Sequence, residues 1–222
     1  KPLLVHVDAG WNNATAVSNV AKISKALNLD LHTIIYPWGV MRELQLSFFK
    51  SGLPHLDVPQ DAAFFSCLYE YATKFKIKSV LTGANLMTES VREPFSWGAY
   101  PGNDPVFINS VYQETYNKPL SGVNIISSLK SRIIYRHLFG MKIFKPLNDL
   151  KYSKSMIEDL LQDNYGWESF SHKHHESRLT KFVEAYWLPK VFGVDRRKAH
   201  LSSLILSGNL DRNDALKQLL SP

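Results

Sequence analysis

The sequence predicts an α/β protein: a parallel sheet within residues 1–98, followed by a mainly helical region over residues 99–222 packed on it. Three observations carry this. Short apolar runs alternate with helical stretches up to residue 83; Gly, Pro, Asp or Asn punctuates the alternation; and helical patterns dominate after Gly98, with no internal repeat that would suggest a solenoid or propeller.

Taken in order, Leu3-Leu4-Val5-His6-Val7-Asp8 is a nearly continuous apolar run closed by Asp8-Ala9-Gly10, the pattern of a buried parallel strand. Asn12 or Asn13 is placed to cap a helix whose inward stripe is Val17, Val20, Ala21, Ser24 and Leu27. Leu31-His32-Thr33-Ile34-Ile35-Tyr36 is the next strand, stopped by Pro37. Two parallel strands joined by a helix require a right-handed crossover. A longer helix starts at Pro59-Gln60-Asp61, with Ala62, Phe65, Leu68, Tyr69, Ala72 and Phe75 expected inside. Lys78-Ser79-Val80-Leu81-Thr82-Gly83 returns as a third strand. Residues 99–123, with Gly102, Pro105, Pro119 and Gly122, read as a loop-rich connection holding one short helix near 108–116. Helices follow at 125–139, 155–162, 179–192, 196–206 and 211–220, and Lys142-Ile143-Phe144 is a further short strand, within 142–146.

Composition narrows the function classes. The chain has 222 residues, 45% hydrophobic and 21% charged, with a net charge of +6, a pI near 9.3 and a mean hydropathy of −0.18. That fits a globular core and excludes a disordered polyelectrolyte. No apolar run approaches the roughly 20 residues of a membrane-spanning helix, so no membrane insertion is expected. The one cysteine, Cys67, excludes an intrachain disulfide framework and, on the inner face of a helix, reads as a core residue. The positive balance favours anionic partners, among them nucleotides, sugar nucleotides and nucleic acid.

In open parallel sheets, ligands bind beyond the carboxyl ends of the strands. Two segments fall there: Asp8-Ala9-Gly10-Trp11-Asn12, and Thr82-Gly83-Ala84-Asn85 through Glu89. Gly83 would admit close approach to the backbone, Asn85 offers both a donor and an acceptor, and Glu89 could meet a metal or a hydroxyl. Turn chemistry accounts for Asp8-Ala9-Gly10 as well as ligand binding does; residues 83–89 favour a ligand. Arg92, close to Trp97, could pair a phosphate beside a stacking ring, or form a surface ion pair next to a buried anchor. In His172-Lys173-His174-His175-Glu176-Ser177-Arg178, neighbouring imidazoles diverge and no zinc-protease spacing occurs, so no metal site is expected. A cationic hold on pyrophosphate or a sugar, through Lys173 and Arg178, fits better than metal; a solvated loop is the plainer alternative. Asp195-Arg196-Arg197-Lys198-Ala199-His200 puts cations in a helix's first turn, against its dipole, which implies a nearby anion. No Walker loop or nucleophile elbow is present, nor a recognisable nucleic-acid-binding motif.

These residues also resemble a family. His6-Val7-Asp8-Ala9-Gly10-Trp11-Asn12, Leu44-Gln45-Leu46-Ser47-Phe48-Phe49-Lys50, Pro59-Gln60-Asp61, Leu81-Thr82-Gly83-Ala84-Asn85, Glu89-Ser90-Val91-Arg92-Glu93-Pro94, His172-Lys173-His174 with Glu176-Ser177-Arg178, and Arg196-Arg197-Lys198-Ala199-His200 look like the N-acetyl sugar amidotransferases of the WbpG-like lipopolysaccharide O-antigen type. The matches run in order along nearly the whole chain. The resemblance implies a Rossmann-like fold of the ATP pyrophosphatase (PP-loop, adenine nucleotide alpha-hydrolase-like) superfamily and a cytoplasmic location. It implies ATP and Mg2+ as cofactors and adenylation of the acetamido oxygen of a nucleotide-linked N-acetyl sugar, with ammonia then displacing AMP to leave an acetamidino group. Its implied partners are a glutaminase and an ammonia-channelling barrel similar to the imidazole-glycerol-phosphate synthase subunits.

By the same resemblance, Asp8, Thr82, Gly83, Asn85 and Glu89 are ATP- or pyrophosphate-side residues. Arg92, Trp97, Lys173, His174, Arg178, Arg196, Arg197 and His200 match positions assigned to phosphate or sugar contacts. The family's cysteine-rich metal-binding segment and its strand ending in a Ser-Gly-Gly-x-Asp-Ser loop have no counterpart. The 222 residues are therefore expected to be the C-terminal portion of a longer protein, inactive alone. The absent strand would lie between those at 3–8 and 78–83. Either the sheet closes up, another copy fills the gap, or the fold is loosened there. A tRNA-modifying ATP pyrophosphatase or RNA-binding module is the competing function. A scaffold whose late helices dock the ammonia-supplying partners is compatible with either.

Overall fold

In the computed structural model, which describes residues 1–98, 104–170 and 176–220, β1 (Leu4–Asp8) and β2 (Leu31–Ile35) run parallel, with Leu4 opposite Leu31 and Asp8 opposite Ile35. The pairing carries one step further, the Tyr36 N–H donating to the Asp8 carbonyl at 2.9 Å. The crossover is α1 (Ala14–Ala26), opened by Asn13, whose side chain accepts from the Ala16 N–H at 2.8 Å. A helix not expected from the sequence follows: α2 (Trp38–Lys50), which buries Met41, Leu44 and Phe48 at helical spacing. Then come α3 (Val58–Lys74), with Pro59 in its first turn, and β3 (Ser79–Leu81). β3 pairs in parallel with β4 (Lys142–Phe144), Ser79 opposite Lys142 and Leu81 opposite Phe144.

The strands form two separate ribbons, β1 with β2 and β3 with β4; among the described residues no ladder joins β1 to β3. The expected closing-up of the sheet between the strands at 3–8 and 78–83 is not seen among the described residues. What the structure shows is thus α/β with two short parallel ribbons, rather than one continuous sheet.

Between β3 and β4 lie α4 (Leu86–Glu89), a 3-10 turn at Phe95–Trp97, α5 (Pro105–Tyr116), and α6 (Ser128–Lys130), which runs on as a π-helix, Ser131–Leu138. After β4 come a 3-10 turn (Pro146–Asn148), α7 (Lys154–Tyr165), α8 (Arg178–Phe182) continued as a second π-helix (Val183–Phe192), α9 (Arg197–Leu206) and α10 (Arg212–Leu220). The second π-helix contains Pro189, which has no N–H to give to an α ladder, and ends at Gly193 with φ +67°. One apolar cluster binds the two halves: Leu44, Phe48, Leu56 and Ala62 pack with Ile108, Val111, Tyr112, Leu179, Val183, Leu188 and Val194.

Three sequence expectations need correction. On α1, Ser24 is buried as expected, but Val17, Ala21 and Leu27 face solvent and Asn19 is buried instead. Asn19 determines this orientation: its amide donates to the Glu168 carbonyl (2.8 Å) and accepts from the Glu168 N–H (2.9 Å), docking the helix by polar pairing. On α3, Phe65, Leu68 and Phe75 are exposed, and the buried face is Pro59, Gln60, Ala62, Ala63, Ser66, Cys67 and Ala72. These smaller side chains permit close approach, and Ser66 Oγ accepts from the Ile126 N–H at 2.7 Å. Finally, the 99–123 connection holds a 12-residue helix, capped by Asp104, that supplies Ile108, Val111 and Tyr112 to the core.

Candidate functional site

The loop leaving β1 folds around the Asp8 carboxylate. Its Oδ1 accepts from the Gly10 N–H at 2.7 Å and from the Asn12 amide at 3.4 Å, and the same amide donates to Nε2 of His6 at 3.2 Å. Gly10 has φ +85°, and a Cβ there would stand 2.8 Å from the Trp38 ring, so no other residue fits without movement. Trp38 meets Trp11 edge to face at 5.0 Å. The Trp11 indole N–H donates to Gln45, which donates in turn to Gln60 at 2.9 Å.

The second strand end is built by Asn85. Its Oδ1 accepts from the Thr88 N–H (2.9 Å) and the Thr88 hydroxyl (3.1 Å), while its amide donates to the Gly83 carbonyl at 3.2 Å, which makes it the N-cap of α4. Thr82 is held twice, its N–H donating to the Phe144 carbonyl (3.0 Å) and its Oγ1 accepting from the Ala84 N–H (3.3 Å). A Cβ on Gly83 would meet nothing within 4 Å. Space in front of that backbone is open, and the glycine is not demanded by the turn itself. Glu89 ends α4, exposed; its charge, after burial, helps raise the pKa of Tyr152.

Residues 176–207 tie these two ends together. Asn12 and Ser177 form an antiparallel bridge, the Asn13 N–H donates to the Glu176 carbonyl (3.0 Å), and the Arg178 N–H donates to the Trp11 carbonyl (2.9 Å). On the other side α9 packs against α4. His200 Nδ1 lies 3.3 Å from the Thr88 carbonyl, the Val91 N–H donates to Ser203 Oγ (3.0 Å), and the Ser207 hydroxyl donates to the Met87 carbonyl (3.3 Å). Spacings of three and four along α9 thus satisfy backbone groups of α4 and the residues just beyond it, a signal legible in the sequence only once α4 is known to be the partner.

The other anticipated residues are placed as follows. Arg92 and Arg178 are exposed. Trp97 packs, partly buried, against the core cluster, and its carbonyl lies 3.2 Å from His55 Nε2. The Arg196 guanidinium is enclosed by Glu93, Asp57 (3.2 Å) and Glu184 (3.4 Å). Burial works against its charge, but the three carboxylates outweigh burial and hold its pKa above the ordinary arginine value. The anion implied by a basic helix start is therefore present within the chain. Arg197 pairs with Asp195 (3.0 Å) and donates to the carbonyls of Gln218 (3.3 Å) and Leu219 (3.2 Å) at the end of α10. Lys173 and His174 lie outside the described residues. Among the described residues no group of three His, Cys, Asp or Glu side chains could hold a metal ion, and no helix is long and apolar enough to cross a membrane. Two open clefts border the strands, one lined in part by Ile34–Pro37 at the end of β2 and one by Met141–Phe144 along β4.

No curated protein and no solved structure matches the chain. A family model does, over residues 176–222: "LPS biosynthesis protein WbpG-like, C-terminal domain". The matched segment is the one that bridges the two strand ends. Residues 176–222 are thus similar to the C-terminal domain of the WbpG-like lipopolysaccharide-biosynthesis proteins, the group that the sequence resembles.

Proposed function

We propose that the protein is the ATP-dependent sugar amidotransferase of a lipopolysaccharide O-antigen pathway, converting the acetamido group of a nucleotide-linked sugar to acetamidino. The observation that carries this reading is the family match together with what the matched segment touches: it holds the Asp8–Asn12 loop by its start and α4 by α9. In a Rossmann-like sheet those are the strand ends where a nucleotide sits.

Asp8 would orient the nucleotide through its carboxylate, and the backbone at Gly83, with open space before it, would accept close approach. Thr82 and Asn85 fix that turn; Glu89 and Arg92 stand exposed beside it. Bound ATP supplies the adenylyl group that makes the amide oxygen a leaving group. Magnesium would be held chiefly by the phosphates and water, as is usual for this ion. The chain's own part is orientation and charge stabilisation, for which no side-chain nucleophile is needed.

The test is the protein with ATP, Mg2+, ammonia and a panel of nucleotide-linked N-acetyl sugars. AMP and pyrophosphate should appear in step with consumption of one sugar; release of ADP would end the proposal.

A further inference from the structure

Segment 128–145 contains Lys130, Arg132, Arg136, Lys142 and Lys145 and no acidic residue, against a net charge of +6 for the whole chain. Its first half is the π-helix Ser131–Leu138 and its last part is β4. The helix docks by one side only, with Ser131 buried and Tyr135 stacked on Tyr69 at 5.0 Å. The flank carrying Arg132, Ile133, Arg136 and His137 turns instead toward β4. Between them is a cleft of about 730 Å³, whose other wall is Met141, Lys142, Ile143 and Phe144.

Two features separate this cleft from an ordinary basic surface. The side chains of Arg132, Arg136 and Lys142 have no ion-pair or hydrogen-bond partner among the described residues, unlike Arg196 and Arg197. Arginines four apart on a helix have Cβ atoms about 6 Å apart, a spacing at which two guanidinium forks can each engage one of two linked phosphates. Ile133, Ile143 and Phe144 are also exposed, giving the cleft an apolar lining beside its cations. Its volume falls within the roughly 300–1,000 Å³ of small-molecule sites.

We propose that this cleft beside β4 is a second anion site, which binds a diphosphate-bearing small molecule through Arg132, Arg136 and Lys142. Inorganic pyrophosphate is the probe, titrated calorimetrically into the full chain at fixed ionic strength. Saturable one-to-one binding is expected, with Arg132→Ala and Arg136→Ala each weakening it about tenfold, the scale of one lost charge-assisted contact. Lys142→Glu, on the facing wall, should abolish it. All three positions are exposed, so unchanged circular dichroism will show that the variants fold. Absence of pyrophosphate binding, or binding that survives the double arginine variant, would overturn the proposal; the latter would put the anion elsewhere, as at the strand ends. Retention of transfer RNA or of phosphatidylglycerol vesicles through these arginines, without competition from pyrophosphate, would likewise overturn it in favour of a macromolecular partner or a membrane surface.

Discussion

Two basic regions of this chain look alike in sequence and differ in structure. Arg196-Arg197-Lys198 opens α9, and Arg132 and Arg136 lie along the π-helix before β4. The first pair is neutralised internally: Arg196 by Asp57, Glu93 and Glu184, and Arg197 by Asp195 and the last carbonyls of α10. The second pair meets no acid among the described residues. Whether a cation is committed to the fold or left for a ligand depends on residues far away in sequence. Asp57 is 139 positions from Arg196 and Glu93 is 103.

The sharpest way to break this comparison is to remove one arginine from each region. Arg196→Ala leaves three partly buried carboxylates facing one another and should cost about 3 kcal/mol or more, the scale of breaking a buried pair. Urea unfolding monitored by circular dichroism measures it. Arg132→Ala should fall within about 0.5 kcal/mol of the parent, as for an exposed side chain without partners. Equal effects would mean that the two regions do not differ in the way described.

The second contrast lies between the two glycines of the strand ends. Gly10→Ala forces a Cβ to 2.8 Å from Trp38 at φ +85° and should cost about 1–3 kcal/mol of stability. Gly83→Ala meets no atom within 4 Å and needs no positive φ, so its thermal midpoint should hold, while ATP binding, if the proposed function is right, should weaken. A loss of stability at Gly83 would assign that glycine to the turn rather than to a ligand.

These contrasts also show what was legible beforehand. The strands and most helix positions could be read because apolar runs and their punctuation are local. Asn13 as the cap of α1 follows from short-range chemistry of the same kind. The face of α1 could not be read: Val17, Ala21 and Leu27 make a convincing stripe, and it is Asn19 pairing with Glu168, 149 residues on, that turns the helix the other way. α2 does not emerge from the sequence despite the spacing of Met41, Leu44 and Phe48: Pro37 reads only as the stop of the second strand, whereas it also serves as the N-cap of this helix. The run of unopposed cations at 128–145 was visible in the sequence, yet its meaning depends on the cleft beside β4.

The smallest expected effect separates partnering from burial. Glu43 is partly buried, less so than Arg196; the Tyr112 hydroxyl donates to it at 2.6 Å and Lys118 Nζ stands 3.0 Å away. The Tyr112 hydrogen bond first, then Lys118, holds its pKa below the ordinary carboxylate value. A carboxylate depressed in the folded state adds stability above its unfolded pKa and loses it as pH falls through the folded one. Glu43→Gln should therefore lower stability most near pH 7 and cost progressively less as pH falls below about 4.5, flattening the acid limb of the stability curve. The change should be far smaller than that of Arg196→Ala, because solvent screens the more exposed pair. If the two variants cost the same, having a partner would outweigh being buried, and the distinction between α9 and the π-helix would rest on partnering alone.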